Sequence, residues 1–335
     1  MDPRTNGPVG MADPAAAAGV AVSTVSRALS GAPGVSDTKR AEIIALARST
    51  GYLAPESGQR TARARITAVV PEADRWAFGS ILARLHEVLT RTNASLTVLQ
   101  GESGADRARL AGAPGIDQDA EVVVLVPLPR GVPIPRLPQL RHRLVIAGSV
   151  VPGIPSVGID DLDARQKATN YLINTGYRRI GFAAYDDHDG THGVASRLRG
   201  DGFTRSMQRA GLDPSWRIQV PFGTTAGQAA AEQLLGGDSV PEAMVMSSDE
   251  MAASAMTVLQ RAGVRVPDDL AVIGVDDHPM AEVMQLTTIA QPVRDQGRLA
   301  ATMVLTLAAG GPIPEPRTLP TRLVIRASTR RIRSA

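Results

Sequence analysis

From Ile66 to Asp277 short apolar runs alternate with longer helix-like stretches, and this alternation limits the fold more than any other feature of the chain. ITAVV precedes FGSILARLHEVLTRT and SLTVL; EVVVLVPL, HRLVIAG and SVGI lead into DARQKATNYLINTG. RRIGFAA, SMQRAGL, RIQVPF, GQAAAEQLLGG, AMVMSS, EMAASAMTVLQRAG and LAVIGVDD continue the pattern. Apolar strands separated by helices predict right-handed βαβ units and parallel sheets. There are too many units for one sheet of modest size, so two doubly wound halves are expected. Two such halves create a cleft at the carboxyl ends of their strands, where a small ligand would lie.

At 335 residues the chain has room for two or three packed units. Only 3% of it is aromatic, so its cores must be built from Val, Leu, Ile and Ala. Cysteine is absent, which excludes disulfides, cysteine nucleophiles and thiolate metal sites. The first residues lack the basic and apolar regions of a signal peptide, and no apolar run reaches the ~18 residues of a membrane span. A cytoplasmic protein with no membrane association is expected.

Ahead of this body, residues 11–51 predict three short helices. Asp13-Pro14 is a start signal, Gly19 a stop, and a second helix runs from about Val22 to Leu29. Ser36 is placed to cap a third helix, DTKRAEIIALARST, that stops at Gly51 and offers Ile43, Ile44, Leu46 and Ala47 to the others. Residues 53–65, LAPESGQRTARAR, have no apolar period and read as a linker. Residues 1–65 carry eight basic and five acidic side chains, whereas the remaining 270 carry 28 of each. A basic head on a neutral body suits a module that binds a polyanion.

DPAAAAGVAVSTVSRALSGAPGVSDTKRAEIIALARSTGY resembles the headpiece of the lactose-repressor/galactose-repressor (LacI/GalR) family of transcriptional regulators. The resemblance continues through SVGIDDLDARQKATNYLINTGYRRIGF, SRLRGDGFTRSMQRAGL, SSDEMAASAMTVLQRAGVRVPDDLAVIGVDD, TTIAQPV and LVIRASTRR. It implies an all-α helix-turn-helix headpiece at 1–52, a hinge at 53–65, and an α/β two-lobed periplasmic-binding-protein-like domain at 66–335. Lobe 1 is expected at about 66–177 and 291–318, and lobe 2 at about 178–290 and 319–335. It further implies a homodimer that reads palindromic double-stranded operator DNA under the control of a small polar effector, sugar-like by the residues that would hold it.

By this resemblance Val22, Ser23 and Arg27 match positions that reach base edges; an arginine can donate twice to a guanine, and valine packs on a thymine methyl. Thr24 and Ser26 suit phosphate oxygens, and Arg60 and Arg63 suit phosphates or a narrow minor groove. Arg199 matches the family's effector-binding arginine, Asp160 and Asp276 its acidic contacts, Ser248 a usual amide or acid, and Phe78, with Trp76, an aromatic face. The competing assignment for Phe78 is core packing, and for Asp160 and Asp276 a helix cap or an interlobe ion pair.

Three departures from the family pattern matter. Ala21 replaces a capping serine, a change that costs about 1 kcal/mol, and Pro14 replaces a core valine. The linker is about three residues shorter by alignment and has no leucine between Leu53 and Arg65 to wedge into the minor groove. The expected result is a smaller operator bend than leucine-bearing relatives give, checked by gel-based bend-angle measurement; an equally sharp kink would refute it.

An enzyme is disfavoured: the sequence has no GxxxxGK[ST], no GxGxxG after a strand, no GxSxG and no HExxH. No cofactor is expected. A solute-binding protein explains two lobes but not a basic helical head; a cytoplasmic small-molecule-binding protein without regulated DNA binding is the remaining alternative. The loop YDDHDGTHG groups Asp186, Asp187, His188, Asp189 and His192, but without a spacing that aims them at one metal ion. The terminal RRIRSA carries no heptads, so a dimer rather than a tetramer is expected.

Overall fold

A computed structural model describes residues 11–30, 34–50, 64–92, 94–113, 120–129, 140, 142–186, 193–237 and 239–329. The chain divides into two compact units, residues 1–63 and 64–335.

In the first unit α1 (Ala12–Ala18), α2 (Val22–Ser30) and α3 (Asp37–Ser49) pack Ala15, Val25, Ala28 and Ile43 into a small core. Asp13 is not the cap of α1: the helix starts one residue earlier, and Asp13 sits in its first turn, where a carboxylate still favours the positive end of the helix. Gly19 ends α1 at φ 63°, a left-handed geometry that glycine adopts without strain. Ser36 Oγ accepts from the backbone N–H of Lys39 at 3.3 Å at the start of α3. The far end of α2 is held by Arg40, which donates to the carbonyls of Ala28 at 2.9 Å and Arg27 at 3.3 Å.

The second unit contains two six-stranded sheets. The first is formed by β1 (Ala64–Val70), β2 (Ala94–Gln100), β3 (Val122–Leu125), β4 (Leu144–Ala147), β5 (Ser156–Ile159) and β11 (Arg317–Leu319), in the order β11-β5-β4-β3-β1-β2, all parallel. The second is formed by β6 (Ile180–Tyr185), β7 (Arg217–Val220), β8 (Ala243–Met246), β9 (Ala271–Asp276), β10 (Thr287–Ala290) and β12 (Arg322–Val324), in the order β12-β10-β9-β8-β6-β7, with only β12 antiparallel. The middle strands are buried on both faces, which explains their unbroken apolar runs.

Helices cover the sheets: α4 (Trp76–Thr90) and α5 (Gly104–Ala111) belong to lobe 1, as does α11 (Val293–Ala308), which packs on α4. Gly297 of α11 is required there, because a Cβ would stand 2.4 Å from the Ile81 carbonyl of α4. Lobe 2 carries α6 (Asp161–Asn174), α7 (Gly193–Arg209), α8 (Ala226–Leu235), α9 (Asp249–Arg261) and the short α10 (Pro279–Val283).

Three boundaries differ from the sequence expectation. Ala64 and Arg65 are strand, not linker. The first lobe ends after Ile159 rather than at 177, because α6 buries Ala164, Ala168 and Leu172 against Phe182 and Phe203 of lobe 2. The apolar face of a helix decides which lobe owns it, and this face packs mainly into the core of the second lobe. The last crossing lies between Leu319 and Arg322, after β11 has completed the first sheet. Among the described residues no helix is long and apolar enough to cross a membrane.

Candidate effector site

The carboxyl ends of both sheets face a cleft lined by residues of both lobes. Lobe 1 contributes Arg75, Phe78 and Ile81 from the entry to α4, Pro127 after β3, Gly148 after β4, and Val293 and Gln296 from α11. Lobe 2 contributes Tyr185 from the end of β6, Arg199 from α7, Phe222 after β7, Ser248 and Glu250 at the start of α9, and Asp276 from the end of β9. Apolar and aromatic walls with a few converging polar groups are the composition of a small-molecule site.

Arg75 ties the two lobes together. It is 7% exposed, and its Nη2 lies 2.9 Å from Glu250 Oε2 and donates to Tyr185 Oη at 3.0 Å. Its guanidinium lies 5.0 Å from the centre of the Phe222 ring, within cation–π range. Tyr185 Oη in turn meets Ser248 Oγ at 2.7 Å. Ser248 also caps α9, accepting from the N–H of Met251 at 3.2 Å.

Beneath the cleft lies a charge cluster. Arg199 Nε donates to Asp161 Oδ1 at 2.7 Å. Arg165 is 1% exposed, gives one hydrogen bond to the Met246 carbonyl at 2.7 Å and rests over the Phe182 ring; burial pulls its pKa down to about 9. Asp276 accepts from Gln291 Nε2 at 2.5 Å. Burial, and then the neighbouring carboxylate Asp249, push its pKa up to about 8 against the opposing pull of Arg199. Asp249 is itself pushed up to about 6 by burial, although Thr288 Oγ1 and the His278 N–H donate to it.

The backbone at Asp276 and Asp277 has φ 135° and 60°, left-handed values that L-residues avoid. Asp277 is held in place by Arg326 at 2.8 Å. The strained turn aims the Asp276 carboxyl into the cleft.

Of the residues singled out in the sequence, Phe78, Arg199, Ser248 and Asp276 line this cavity. Trp76 does not: it faces a neighbouring groove with Asp277 and Arg322, its ring 5.0 Å from that of His278. Asp160 is a correction. It is exposed, and its Oδ1 accepts from the Asp163 N–H at 2.9 Å as the cap of α6; the next residue, Asp161, points inward to Arg199. In the headpiece Val22, Ser23, Ser26 and Arg27 are exposed on α2, Thr24 is half-buried, and Val25 is buried. Arg60 and Arg63, and Asp187, His188, Asp189 and His192 of the acidic loop, lie outside the described residues. Among the described residues no group of three or more ligating side chains is placed for a metal.

Sequence reasoning missed Arg75, Tyr185, Phe222, Glu250, Gln291 and Gln296. A signal for three of them existed: Tyr185 closes the run GFAAY, Phe222 follows RIQV by one residue, and Glu250 follows AMVMSSD, all at the strand ends where open α/β sheets bind ligands. Gln296 sits one helical turn into α11 and has no such local mark.

Comparison with known proteins agrees with this architecture. A family model for bacterial regulatory proteins of the lacI family matches residues 10–54, and one for the periplasmic binding protein-like domain matches 169–329. The HTH-type transcriptional repressor CytR of Escherichia coli (strain K12) is 30% identical over 333 residues, spanning 96% of each chain. The structure of a CelR–cellobiose complex is 28% identical with TM-score 0.66, covering 96% of this chain and 100% of that one. The lac repressor bound to ONPG in its repressed state is 25% identical with TM-score 0.72, at the same coverage. With this likeness running almost end to end, the chain belongs to the lacI family of bacterial regulatory proteins, transcriptional regulators rather than enzymes.

Proposed function

We propose that the chain is an effector-responsive repressor: its three-helix headpiece binds operator DNA, and a small polyhydroxylated molecule in the cleft of residues 64–335 sets the operator affinity. The observation that carries the reading is the pairing of Arg199 and Asp276 with the aromatic faces of Phe78 and Phe222 across two lobes. Rings of a sugar or nucleoside stack on such faces, while an arginine donates to, and a carboxylate accepts from, their oxygens and hydroxyls. A ligand that touches both lobes biases their closure only through its differential affinity for the closed form, and the linker passes that bias to the head. CelR, a relative, has a solved structure as a cellobiose complex, which supports a sugar-like class. The chain is further proposed to act as a cytoplasmic homodimer on a palindromic site, with Val22, Ser23 and Arg27 at base edges and Thr24, Ser26, Arg60 and Arg63 at the backbone.

Salt-dependent gel shifts on duplexes from the chain's own promoter region test the DNA half. Replacing Arg27 by alanine is expected to weaken specific binding by about 1–3 kcal/mol while leaving binding to random duplex nearly unchanged. Equal loss on both duplexes would reduce Arg27 to a phosphate contact. Wild-type protein indifferent to sequence would favour a small-molecule-binding protein without regulated DNA binding. A thermal-shift screen of sugars, nucleosides and small acids tests the effector half, because a ligand of the folded state raises the melting temperature.

A further inference from the structure

The wall of the cleft nearest the lobe crossing holds a chain of two carboxamides. Gln296 Nε2 donates to Gln291 Oε1 at 3.1 Å, and Gln291 Nε2 donates to Asp276 Oδ1 at 2.5 Å. Gln296 belongs to α11 of lobe 1, Gln291 to the segment that crosses between lobes, and Asp276 to lobe 2. Gln296 is 1% exposed and lines the cavity, yet its Oε1 accepts from no group among the described residues. An acceptor buried without a donor costs folding free energy, and apolar side chains of similar shape were available at that position. The remaining end of the chain is therefore directed at what enters the cleft.

We propose that Gln296 is a specificity-determining residue of the effector site: its Oε1 takes a hydroxyl group of the effector, and the Gln296–Gln291–Asp276 chain carries that contact from lobe 1 to lobe 2. This rests on the reading of the cleft as an effector site. The choice of a hydroxyl follows from the two polarities of the chain. When Asp276 is ionised it accepts from Gln291, and Gln296 is left presenting an acceptor. When Asp276 is protonated and donates to Gln291 Oε1, both amides turn over and Gln296 presents its N–H instead. A hydroxyl, donor and acceptor at once, satisfies either form, whereas an ether oxygen or an ammonium satisfies only one. A contact here links α11 to the end of β9, so it favours the arrangement in which both lobes grip the ligand.

The test uses full-length protein and the near-isosteric substitution Gln296→Met, with thermal shift against cellobiose, sucrose, D-ribose and adenosine. The ligand-free variant is expected to melt within about 2 °C of wild type, because removing the unsatisfied Gln296 Oε1 offsets the loss of its hydrogen bond to the half-buried Gln291. The compound that stabilises wild type most is expected to bind the variant about tenfold more weakly or worse. A ligand-free melting point lowered by more than about 2 °C would show that Gln296 serves the fold and would overturn the proposal; so would undiminished affinity for that compound. Should no compound of the panel stabilise wild type, the polyhydroxylated reading of the cleft fails, while the ligand-free comparison still decides the role of Gln296.

Discussion

Asp161→Ala is expected to destabilise the two-lobed unit by about 3–5 kcal/mol, the usual cost of removing one partner of a buried ion pair. The side chain of Asp161 is 5% exposed and that of Arg199 is 21% exposed, so solvent does little to screen their 2.7 Å contact. Arg165, fully buried close by, adds a second cation to the same region. Without Asp161, the Arg165 and Arg199 guanidinium groups repel each other beside Asp276, a carboxyl whose ionisation burial disfavours. The double variant Asp161→Ala, Arg199→Leu removes the stranded charge as well and is expected to recover at least half of the loss. Urea unfolding is well suited to the measurement: the only two tryptophans, Trp76 and Trp216, sit one in each lobe, so their fluorescence follows both. A single substitution costing less than about 1 kcal/mol, as a solvent-screened surface pair would, would contradict the buried-pair account.

That ion pair also marks where sequence reading reaches its limit. The alternation of apolar runs was enough to anticipate two parallel sheets and a cleft at their carboxyl ends, because a strand buried on both faces leaves an unmistakable apolar run, as VVVL and LVIA do. The owner of α6 was not legible. Its amphipathic pattern says that one face is buried but not against which sheet, and only the fit of Ala164 and Ala168 against Phe182 and Phe203 decides that. The same limit explains Asp160 and Asp161. Adjacent carboxylates at a helix start are interchangeable in a string of letters, but one helical residue is a turn of about 100°. That turn sends one to the N-cap and the other to Arg199. Arg75 escaped notice because its partners, Glu250 and Tyr185, lie more than a hundred residues away. Arg199, Ser248 and Asp276 were found through family resemblance, and their positions on the cavity wall give that match a physical content.

The second large effect is a loss of stability with rising pH that traces to Asp276. Its carboxyl is buried, faces Arg199 from α7 and Asp249 and Glu250 from α9, and is held up to about 8, whereas in the unfolded chain it has an ordinary value near 4. Between those values the folded protein keeps a proton that the unfolded chain has released, so stability falls as pH rises and the fall ends above about pH 8. Asp249, held up to about 6, adds to the same slope at its acidic end. The contribution of Asp276 is on the order of 4 kcal/mol between pH 5 and pH 9. Asp276→Asn mimics the protonated acid, so it is expected to flatten the profile and to exceed wild type in stability at pH 9. Urea titrations across that range decide the point, and parallel profiles for the two proteins would refute it. A ligand hydroxyl that donates to the carboxylate reverses the balance, because it favours the ionised form. Effector binding is then expected to release protons between pH 6 and pH 8 and to tighten across that interval. Calorimetry in two buffers of different ionisation enthalpy measures the released protons directly; proton uptake on binding would mean that the effector meets Asp276 as an acid.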